Sequence, residues 1–311
     1  MRAGGKPCSY IAGCAPMGKH SKIEWTHHSW NPWWGCTKVG PGCDNCYAES
    51  FTRRLGLDVF GPGKPRRTFT TKHWQQPLHW HAEAEAEGRF ALVFGNSMCD
   101  VFDKEAPAGL RADLWQLVKA TPSLIWIFAT KRIGNASRYL PADWGVGYPN
   151  VVLLVSVTDD KEYLRDVPDL IATPARWRGV SAEPLLGPIY LWADDIATHL
   201  LSKLDWFIIG GESGQDGIHR PVSPMHPKWA RMIVSACLNA RVPVLFKQWG
   251  RYLPGSQVRD LFTDAQLCDF KITTVTQNGI EAACFDVGKG RAGRILDGIM
   301  WDQFPKFQVA A

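Results

Sequence analysis

Three cysteines lie close together in one short segment that is rich in glycine and proline. Six residues separate Cys36 from Cys43, and two separate Cys43 from Cys46. Three thiolates can hold a cubane iron-sulfur cluster and leave one of its iron atoms without a protein ligand. That open iron can bind a substrate or cofactor, which a cluster held by four cysteines cannot do. Gly35 and Gly40 suit such a loop, because the backbone must wrap closely around a cluster.

Two other interpretations of this cysteine loop remain open. A zinc site with three cysteines would take its fourth ligand from His27 or His28. However, the first pair of ligands in a zinc site is usually two to four residues apart, and no second pair follows downstream. The remaining alternative is that the three thiols are reduced and bind no metal. The sequence favours the cluster.

The composition is that of a globular protein without a membrane span. The chain has 311 residues, of which 45% are hydrophobic and 21% are charged, enough for one barrel-sized domain or two smaller ones. No run of about 18 apolar residues occurs, so we expect no membrane partner. Nine cysteines without an export signal favour reduced thiols in a cytoplasm over a disulfide framework. Outside the loop, Cys99, Cys237, Cys268 and Cys284 are interpreted as small buried hydrophobic residues.

Short apolar runs alternate with helical patterns along the chain. The runs are apolar throughout, which is typical of parallel strands that are buried on both faces. They predict strands at Ile23–Trp25, Ala91–Gly95, Leu124–Ala129, Val151–Val157, Gly179–Ala182, Trp206–Ile209 and Val244–Phe246. Helices are predicted at Asn45–Leu55, Ala108–Ala120, Lys161–Ala172 and His226–Asn239. This alternation predicts an α/β fold with a parallel (β/α) barrel, full or partial.

The chain is expected to have three parts. Residues 1–20 form an irregular N-terminal extension, residues 21–250 form the barrel with the cysteine loop at 33–48, and residues 251–311 form a C-terminal cap or subdomain. Within the barrel, residues 60–67 carry two prolines, two glycines and three basic residues, which is typical of an exposed basic loop.

Polar residues follow the predicted strands at the points where the strands end. In a parallel α/β barrel the carboxyl ends of all strands open on one face, and that face holds the site. We therefore expect six strand ends to converge with the cysteine loop. The candidates are Asn96, Ser97 and Asp100 after the second strand, Lys131 after the third, Ser156 in the fourth, Glu183 after the fifth, Gly210, Gly211 and Glu212 after the sixth, and Lys247 after the seventh.

Lys247 is the most suggestive of these residues, because a lysine at the end of a buried strand needs a partner or a ligand. Asp100 and Glu212 are its candidate partners, and the three together are the candidate catalytic residues. Lys131 and the adjacent Arg132 could hold a carboxylate or a phosphate. Glycines before Glu212 would allow a ligand to approach the backbone while the carboxylate accepts hydrogen bonds from a ribose or an ammonium group. A tight turn with a solvated glutamate is the alternative.

Several blocks of the sequence resemble the phage three-cysteine-motif proteins, the gene-product thirty-seven/sixty-eight family. The resemblance extends from about Lys22 to about Pro305. It rests on Trp30–Cys36, Gly42–Ala48, Asn96–Phe102, Thr130–Arg132, Ser181–Pro188, Gly210–Gly214, Lys247–Gly250 and Leu296–Gly298.

That family is in turn similar to radical S-adenosylmethionine enzymes, which have a partial (β/α)6 barrel and a cluster loop after the first strand. The resemblance implies a [4Fe-4S] cluster on the three cysteines of the loop. It also implies S-adenosyl-L-methionine on the open iron, cleaved reductively to a 5′-deoxyadenosyl radical. Asn96–Asp100 would hold the methionine amino group, Ser156 and Glu183 would lie near the ribose, and Gly210–Glu212 near the adenine or the substrate.

The expected function is hydrogen abstraction that modifies or repairs a substrate, with a nucleic-acid base (DNA or RNA) as the preferred substrate class and a reductant protein as partner. Basic residues and tryptophans that could contact nucleic acid are Lys64, Arg66, Arg67, Lys72, Lys289, Arg291 and Arg294, with Trp33, Trp34 and Trp74. One alternative is a non-catalytic nucleic-acid-binding or assembly module with a structural metal loop. Another is a metal-assisted hydrolase that uses Asp100, Glu183 and Glu212.

Overall fold

The structure, a computed structural model, describes residues 21, 23–192, 195–214, 220–259 and 261–307. The irregular extension predicted over residues 1–20 lies outside the described residues. No helix in the described part of the chain is long and apolar enough to cross a bilayer.

One sheet of seven parallel strands forms the centre of the molecule, and the strands lie side by side in chain order. They are β1 (His28–Ser29), β2 (Ala91–Phe94), β3 (Leu124–Thr130), β4 (Val151–Ser156), β5 (Trp177–Ala182), β6 (Trp206–Gly210) and β7 (Val244–Gln248). The sheet begins at β1 and ends at β7, so it does not close on itself. This arrangement confirms the predicted fold class, a partial parallel (β/α) barrel.

The sheet is curled, as shown by contacts between residues near β1 and residues of β6 across the interior. Trp25, just before β1, contacts Trp206 at the start of β6, with ring centroids 5.9 Å apart. In a flat sheet, five strand spacings would put these positions roughly 24 Å apart. Ile125 of β3, Val152 of β4 and Leu245 of β7 belong to the same buried cluster. The strands therefore wrap around a shared apolar interior as a half-barrel.

Helices cover the outer face of the sheet. In chain order the helices are α1 (Tyr47–Arg54), α2 (Thr71–Ala86), α3 (Leu110–Lys119), α4 (Ala136–Tyr139), α5 (Asp160–Ala172), α6 (Asp195–Leu201) and α7 (Pro227–Ala240), and all of them except α1 contribute buried residues to the outer core. In α7, Trp229, Ile233 and Cys237 recur every four residues and are all buried in the larger outer core. This spacing places them on one face of the helix.

The barrel differs from the sequence prediction in the position of its first strand and in helices α2, α4 and α6, which the sequence pattern did not indicate. Ile23–Trp25 is not a strand but a turn, in which the Thr26 amide donates to the Ile23 carbonyl oxygen at 3.1 Å. Its apolar residues pack in the barrel interior. The sequence of this turn is therefore as hydrophobic as that of a buried strand. Helix α2 was missed, because Pro77 interrupts its pattern and its buried residues include only Trp80 and Ala84 besides that proline.

The residues after β7 form a second, antiparallel sheet in the order β8–β10–β9. Its elements are β8 (Tyr252–Pro254), α8 (Gly255–Val258), α9 (Asp264–Cys268), β9 (Ile272–Gln277), β10 (Ile280–Asp286) and α10 (Lys289–Ala292). After α10 the chain returns to the barrel, where Phe304 packs on Trp206 with ring centroids 5.3 Å apart. The domain boundaries near residues 20 and 250 stay a prediction.

We expect Trp206→Ala to lower the free energy of unfolding by about 3–5 kcal/mol, because it removes the ring that joins the two sides of the sheet. Equilibrium unfolding in urea measures this loss. Leu238→Ala on the exposed side of α7 is the matched control and should change stability by about 0.5 kcal/mol or less. Equal midpoints for the two variants would contradict the role of Trp206.

Candidate active site

A cavity of about 440 Å³ opens at the carboxyl ends of the parallel strands, and Cys36, Cys43 and Cys46 all line it. The structure thus brings the three predicted metal ligands into one place. Within the described ranges, no three His, Cys, Asp or Glu side chains are grouped so as to hold a single metal ion. A cubane cluster distributes its three thiolates over three iron atoms, so it does not need ligands that converge on one point.

The cysteine loop enters the site at Gly35, where the backbone passes very close to a neighbouring segment. Gly35 has φ +106°, and a Cβ there would lie 2.0 Å from the Val59 carbonyl oxygen. Its amide donates to the Met98 carbonyl oxygen at 2.9 Å. Only glycine fits this position. The residue before the first cysteine is therefore held between two loops.

Arg66 is buried rather than part of an exposed basic loop, so the prediction that it faces a nucleic acid is wrong. Its guanidinium lies 2.9 Å from the Asp103 carboxylate, and both side chains are 1% exposed. The same guanidinium donates to the Val59 carbonyl oxygen and to the Thr37 hydroxyl, each at 3.0 Å. Arg66 therefore joins the basic loop to the residue that follows Cys36.

Asp100 and Arg132 lie beside Cys36. Arg132 donates to Asp100 at 2.9 Å and also to the Thr37 carbonyl oxygen. Asp100 further accepts from the Thr130 hydroxyl at 2.9 Å. Burial raises the pKa of Cys36, and the negative charge of Asp100 raises it further, whereas Arg132 lowers it. In these surroundings a bound metal would have to displace the thiol proton.

Lys131 lies beside Cys46 and connects three strand ends. Its ammonium group donates to the Ser156 hydroxyl at 2.7 Å, and that hydroxyl donates to the Glu183 carbonyl oxygen at 3.0 Å. Burial is the main reason that the pKa of Cys46 is raised, and the charge of Lys131 opposes this rise. Lys131 and Arg132 thus place two cations next to the cysteine loop.

Lys247 has a partner in the cavity, but that partner is Glu183 and not Asp100 or Glu212. The Lys247 ammonium lies 2.8 Å from the Glu183 carboxylate, with both side chains less than a fifth exposed. A Cβ at Gly210 would lie 2.4 Å from the same carboxylate. The glycine that the sequence assigned to ligand approach therefore leaves room for Glu183.

Glu212 is fully engaged by a residue that the sequence did not indicate. Both of its carboxylate oxygens accept from Arg220, each at 2.8 Å. Arg220 also donates to Asp44 of the cysteine loop at 3.2 Å. The adjacent Gly211 has no room for a Cβ, which would lie 2.0 Å from the Trp249 carbonyl oxygen. Arg220 therefore ties the end of β6 to the cysteine loop.

Asn96 and Ser97 line the cavity and fix its wall through their polar groups. The Asn96 side chain donates to the Ala129 carbonyl oxygen at 2.6 Å and accepts from the Ala129 amide at 3.1 Å. The Ser97 hydroxyl accepts from the Asn31 side chain at 3.0 Å, and the Ser97 carbonyl oxygen accepts from the Tyr47 hydroxyl at 2.5 Å. These bonds join β3 and the cysteine loop to the end of β2.

Two buried amide oxygens in the cavity have no hydrogen-bond partner among the described residues. They belong to Asn45, between the last two cysteines, and to Gln248, directly after Lys247. Buried acceptors are nearly always satisfied in folded proteins. A water molecule or a donor group of a ligand would satisfy these two oxygens. Asn45 lies in the cysteine loop and Gln248 follows Lys247, so their positions in the sequence already indicated that both could reach the site.

Three cavity residues are not among the individual candidate site residues: Glu24, Cys99 and Lys289. Cys99 was interpreted as a buried hydrophobic residue, yet it is a fourth thiol in the cavity. Burial raises the pKa of Cys99 well above its usual range, and the charge of nearby Cys36 adds to this. Lys289 comes from α10, so the C-terminal segment contributes a cation to the site.

Neither histidine proposed as a fourth zinc ligand belongs to the cavity lining. His28 stacks on Trp80 of α2, with ring centroids 4.2 Å apart. His27 accepts from the Leu92 amide through Nδ1 at 2.8 Å. His28 therefore packs against an outer helix, and His27 bonds to the backbone of β2.

The other residues predicted to contact nucleic acid differ in whether their side chains are exposed and free to reach it. Trp33 is completely buried, so it cannot stack on a base. Arg294 pairs with Asp302 at 2.7 Å, and Arg291 lies over the Phe270 ring at 4.9 Å. Arg67 is exposed and lies over Trp34 and Phe69.

Comparisons with known proteins identify a family and a distant likeness in fold. The family model described as "Protein of unknown function (DUF5131)" matches residues 20–305. No curated protein sequence matches the chain. A spore photoproduct lyase single mutant is 12% identical, with a TM-score of 0.44 over 88% of this chain and 72% of that one. A double mutant of that lyase with bound AdoMet and dinucleoside spore photoproduct is 11% identical, with a TM-score of 0.40 over 84% and 69%.

The phage three-cysteine-motif family does not appear among these findings, so the resemblance to it stays a prediction.

We expect Arg66→Met to destabilise the protein by about 3–5 kcal/mol, because it leaves the Asp103 carboxylate buried without its partner. Arg231→Met is the matched control. It breaks the Arg231–Asp297 ion pair, whose side chains are 42% and 43% exposed, and should cost less than about 1 kcal/mol. Thermal unfolding followed by circular dichroism measures both. Similar losses for the two variants would rule out Arg66 as the main anchor of the loop.

Proposed function

We propose that this chain, which belongs to the DUF5131 family of proteins of unknown function, is an iron-sulfur enzyme of the radical S-adenosylmethionine type. The observation that carries the proposal is the position of Cys36, Cys43 and Cys46 on one cavity at the carboxyl ends of parallel strands. Three thiolates hold a [4Fe-4S] cluster and leave one iron open to a ligand.

The surroundings of the cysteines fit such a cluster. Lys131 supplies a positive charge beside Cys46 that would offset part of the negative charge of a thiolate-bound cluster, whereas Arg132 beside Cys36 is neutralised by Asp100. The cavity walls around the three half-buried cysteines would limit the contact of the cluster with water. When bound, the cluster would supply the electron that cleaves S-adenosyl-L-methionine into the radical that abstracts hydrogen.

The cavity also fits a nucleoside-sized cofactor beside the cluster. Its volume of about 440 Å³ lies within the usual range for small-molecule sites. The unpaired oxygens of Asn45 and Gln248 would accept hydrogen bonds from the ligand. We assign Ser156 and Glu183 to the ribose and Asn96–Ser97 to the methionine amino group. Lys131 would bind the methionine carboxylate, because it lies in the cavity wall beside Cys46 and forms no ion pair with the described residues, whereas Arg132 is paired with Asp100.

The ion pairs suggest how the proposed catalytic residues act. Asp100 would position Arg132 and through it the loop at Cys36. Glu212 would act through Arg220 in the same way, while Gly210 and Gly211 allow the strand end to pack closely. Lys247 lies in the cavity itself, so we propose that it contacts the substrate directly.

The interior of the barrel would protect a radical from side reactions. Ile23, Trp25 and Phe94 line the cavity on its apolar side. An apolar floor excludes water and leaves few polar hydrogens near the reacting atom. We propose a nucleic-acid base as the substrate class and a reductant protein as the electron donor.

The metal-assisted hydrolase fits the geometry less well. Its three carboxylates, Asp100, Glu183 and Glu212, are each paired with a cation in the structure. A hydrolytic metal needs carboxylate oxygens that are free to bind it. The ion pairs therefore favour the radical enzyme over the hydrolase.

Iron and sulfide analysis after anaerobic purification tests the cluster directly. We expect about four iron and four sulfide per chain and a brown colour, since three cysteines hold a cubane. Cys36→Ala, Cys43→Ala and Cys46→Ala should each abolish both. Cys268→Ala, an exposed cysteine outside the cavity, is the control and should retain them.

One tightly held zinc without acid-labile sulfide would refute the proposal and support the structural-loop alternative.

The cofactor is tested by adding S-adenosyl-L-methionine and dithionite to the cluster-containing protein and measuring 5′-deoxyadenosine. Lys131→Met should weaken cofactor binding by about tenfold or more, because a charge-assisted hydrogen bond contributes about 1.5–3 kcal/mol. Lys119→Met, whose ammonium pairs with Asp143 at the surface, should bind normally. An intact cluster that forms no product would favour the non-catalytic binding module.

A further inference from the structure

We infer that a surface strip at the mouth of the cavity binds a single strand of nucleic acid and delivers one unpaired base to the site. The strip consists of Tyr47, Phe51, Trp34, Phe69 and Arg67, and is called the aromatic strip below. This inference deepens the proposed function and rests on it for the reaction, whereas strand binding itself does not require the cluster.

The aromatic strip begins inside the cavity and continues over the surface. Tyr47 lines the cavity while 51% of the residue is exposed. Phe51 lies one helical turn further along α1 and is 39% exposed. The Phe51 and Trp34 ring centroids are 5.9 Å apart, and those of Trp34 and Phe69 are 5.4 Å apart. Phe51, Trp34 and Phe69 therefore form a row of contacting rings, and Tyr47 lies one helical turn from Phe51 at the end nearest the cavity.

Positive charge accompanies the rings. The Arg67 guanidinium lies 4.6 Å from the Trp34 centroid and 5.4 Å from that of Phe69. Among the described residues, no ion pair engages Arg67, nor the exposed side chains of Arg54, Lys72 and Lys289. Neighbouring carboxylates are already neutralised, since Glu49 pairs with Lys38 and Arg53, and Asp58 pairs with Lys64. The free charge along the strip is therefore positive.

This combination suits a single-stranded polynucleotide. Bases stack on exposed aromatic rings and on guanidinium planes, while cations contact the phosphates. Lys289 carries this positive charge to the cavity. A duplex hides the faces of its bases, and a base must leave the stack before it can enter a closed pocket. The rings outside the pocket would hold the nucleotides that flank that base.

Fluorescence anisotropy with a short fluorescein-labelled oligothymidine tests the strip, using the cluster-containing protein and the cluster-free Cys36→Ala variant in parallel. We expect both to bind the single strand more tightly than a duplex of the same length. Phe51→Ala should weaken binding roughly 5- to 150-fold, as loss of one stacked base does. Arg67→Gln should weaken it and lower the dependence of log affinity on log salt by about 0.7, one phosphate contact on a single strand.

Leu238→Ala and Arg231→Gln on α7 are the control variants and should bind as the unchanged protein does. Thermal unfolding of each variant shows that a lost affinity is not a lost fold. Equal affinity in Phe51→Ala, Arg67→Gln and the controls would overturn the inference, as would equal affinity for the duplex.

A protein partner on the same surface is the other outcome to separate. If the oligonucleotide does not bind, and Phe51→Ala slows reduction of the cluster by a ferredoxin but not by dithionite, the strip docks a redox protein and the inference fails. If 5′-deoxyadenosine forms but no strand binds, the inference fails while the proposed function stands. If strands bind and no cluster assembles, the proposed function fails alone.

Discussion

Three arginines hold the cysteine loop against the ends of the parallel strands, and the geometry of the site depends on this attachment. Arg66 and Arg132 both bond to Thr37, directly after the first cysteine, and Arg220 bonds to Asp44 between the other two. Each arginine is paired with a carboxylate of the barrel or its loops. A buried guanidinium needs such a partner and offers several donors in a fixed plane. The loop is therefore bound at both ends.

This attachment uses the carboxylates that would otherwise be available for chemistry. Asp100 and Glu212 neutralise arginines, and Glu183 neutralises Lys247. Within the described part of the chain, the cavity-lining side chains with a buried polar atom that lacks a hydrogen-bond partner are Asn45 and Gln248, through their amide oxygens, and Trp25, through its indole N–H. Neutral acceptors without partners can bind a ligand, whereas paired charges stabilise the fold. Asp100 and Glu212 therefore shape the cavity through their arginines, whereas the Lys247–Glu183 pair lies in the cavity lining itself.

The curl of the sheet brings the attachment points together. Trp25 and Trp206 meet across the interior, which draws the strand ends into an arc around the loop. The sequence indicated most strands of this sheet, because strands buried on both faces are apolar throughout. The sequence placed the first strand wrongly. Trp25 is buried because it packs across the barrel interior on Trp206, and not because it belongs to a strand of the sheet. A local pattern does not distinguish these two kinds of burial.

The sequence by itself determined the α/β class, the three cysteines and the polar residues at the strand ends, because these follow from spacing and periodicity along the chain. Only the tertiary structure decided which charges pair. Lys247 pairs with Glu183, and Glu212 with Arg220, a residue without any motif. It also brought Cys99 and Lys289 into the cavity. Ion pairs and cavity walls form between residues far apart in the chain, so their partners are set by how the elements pack.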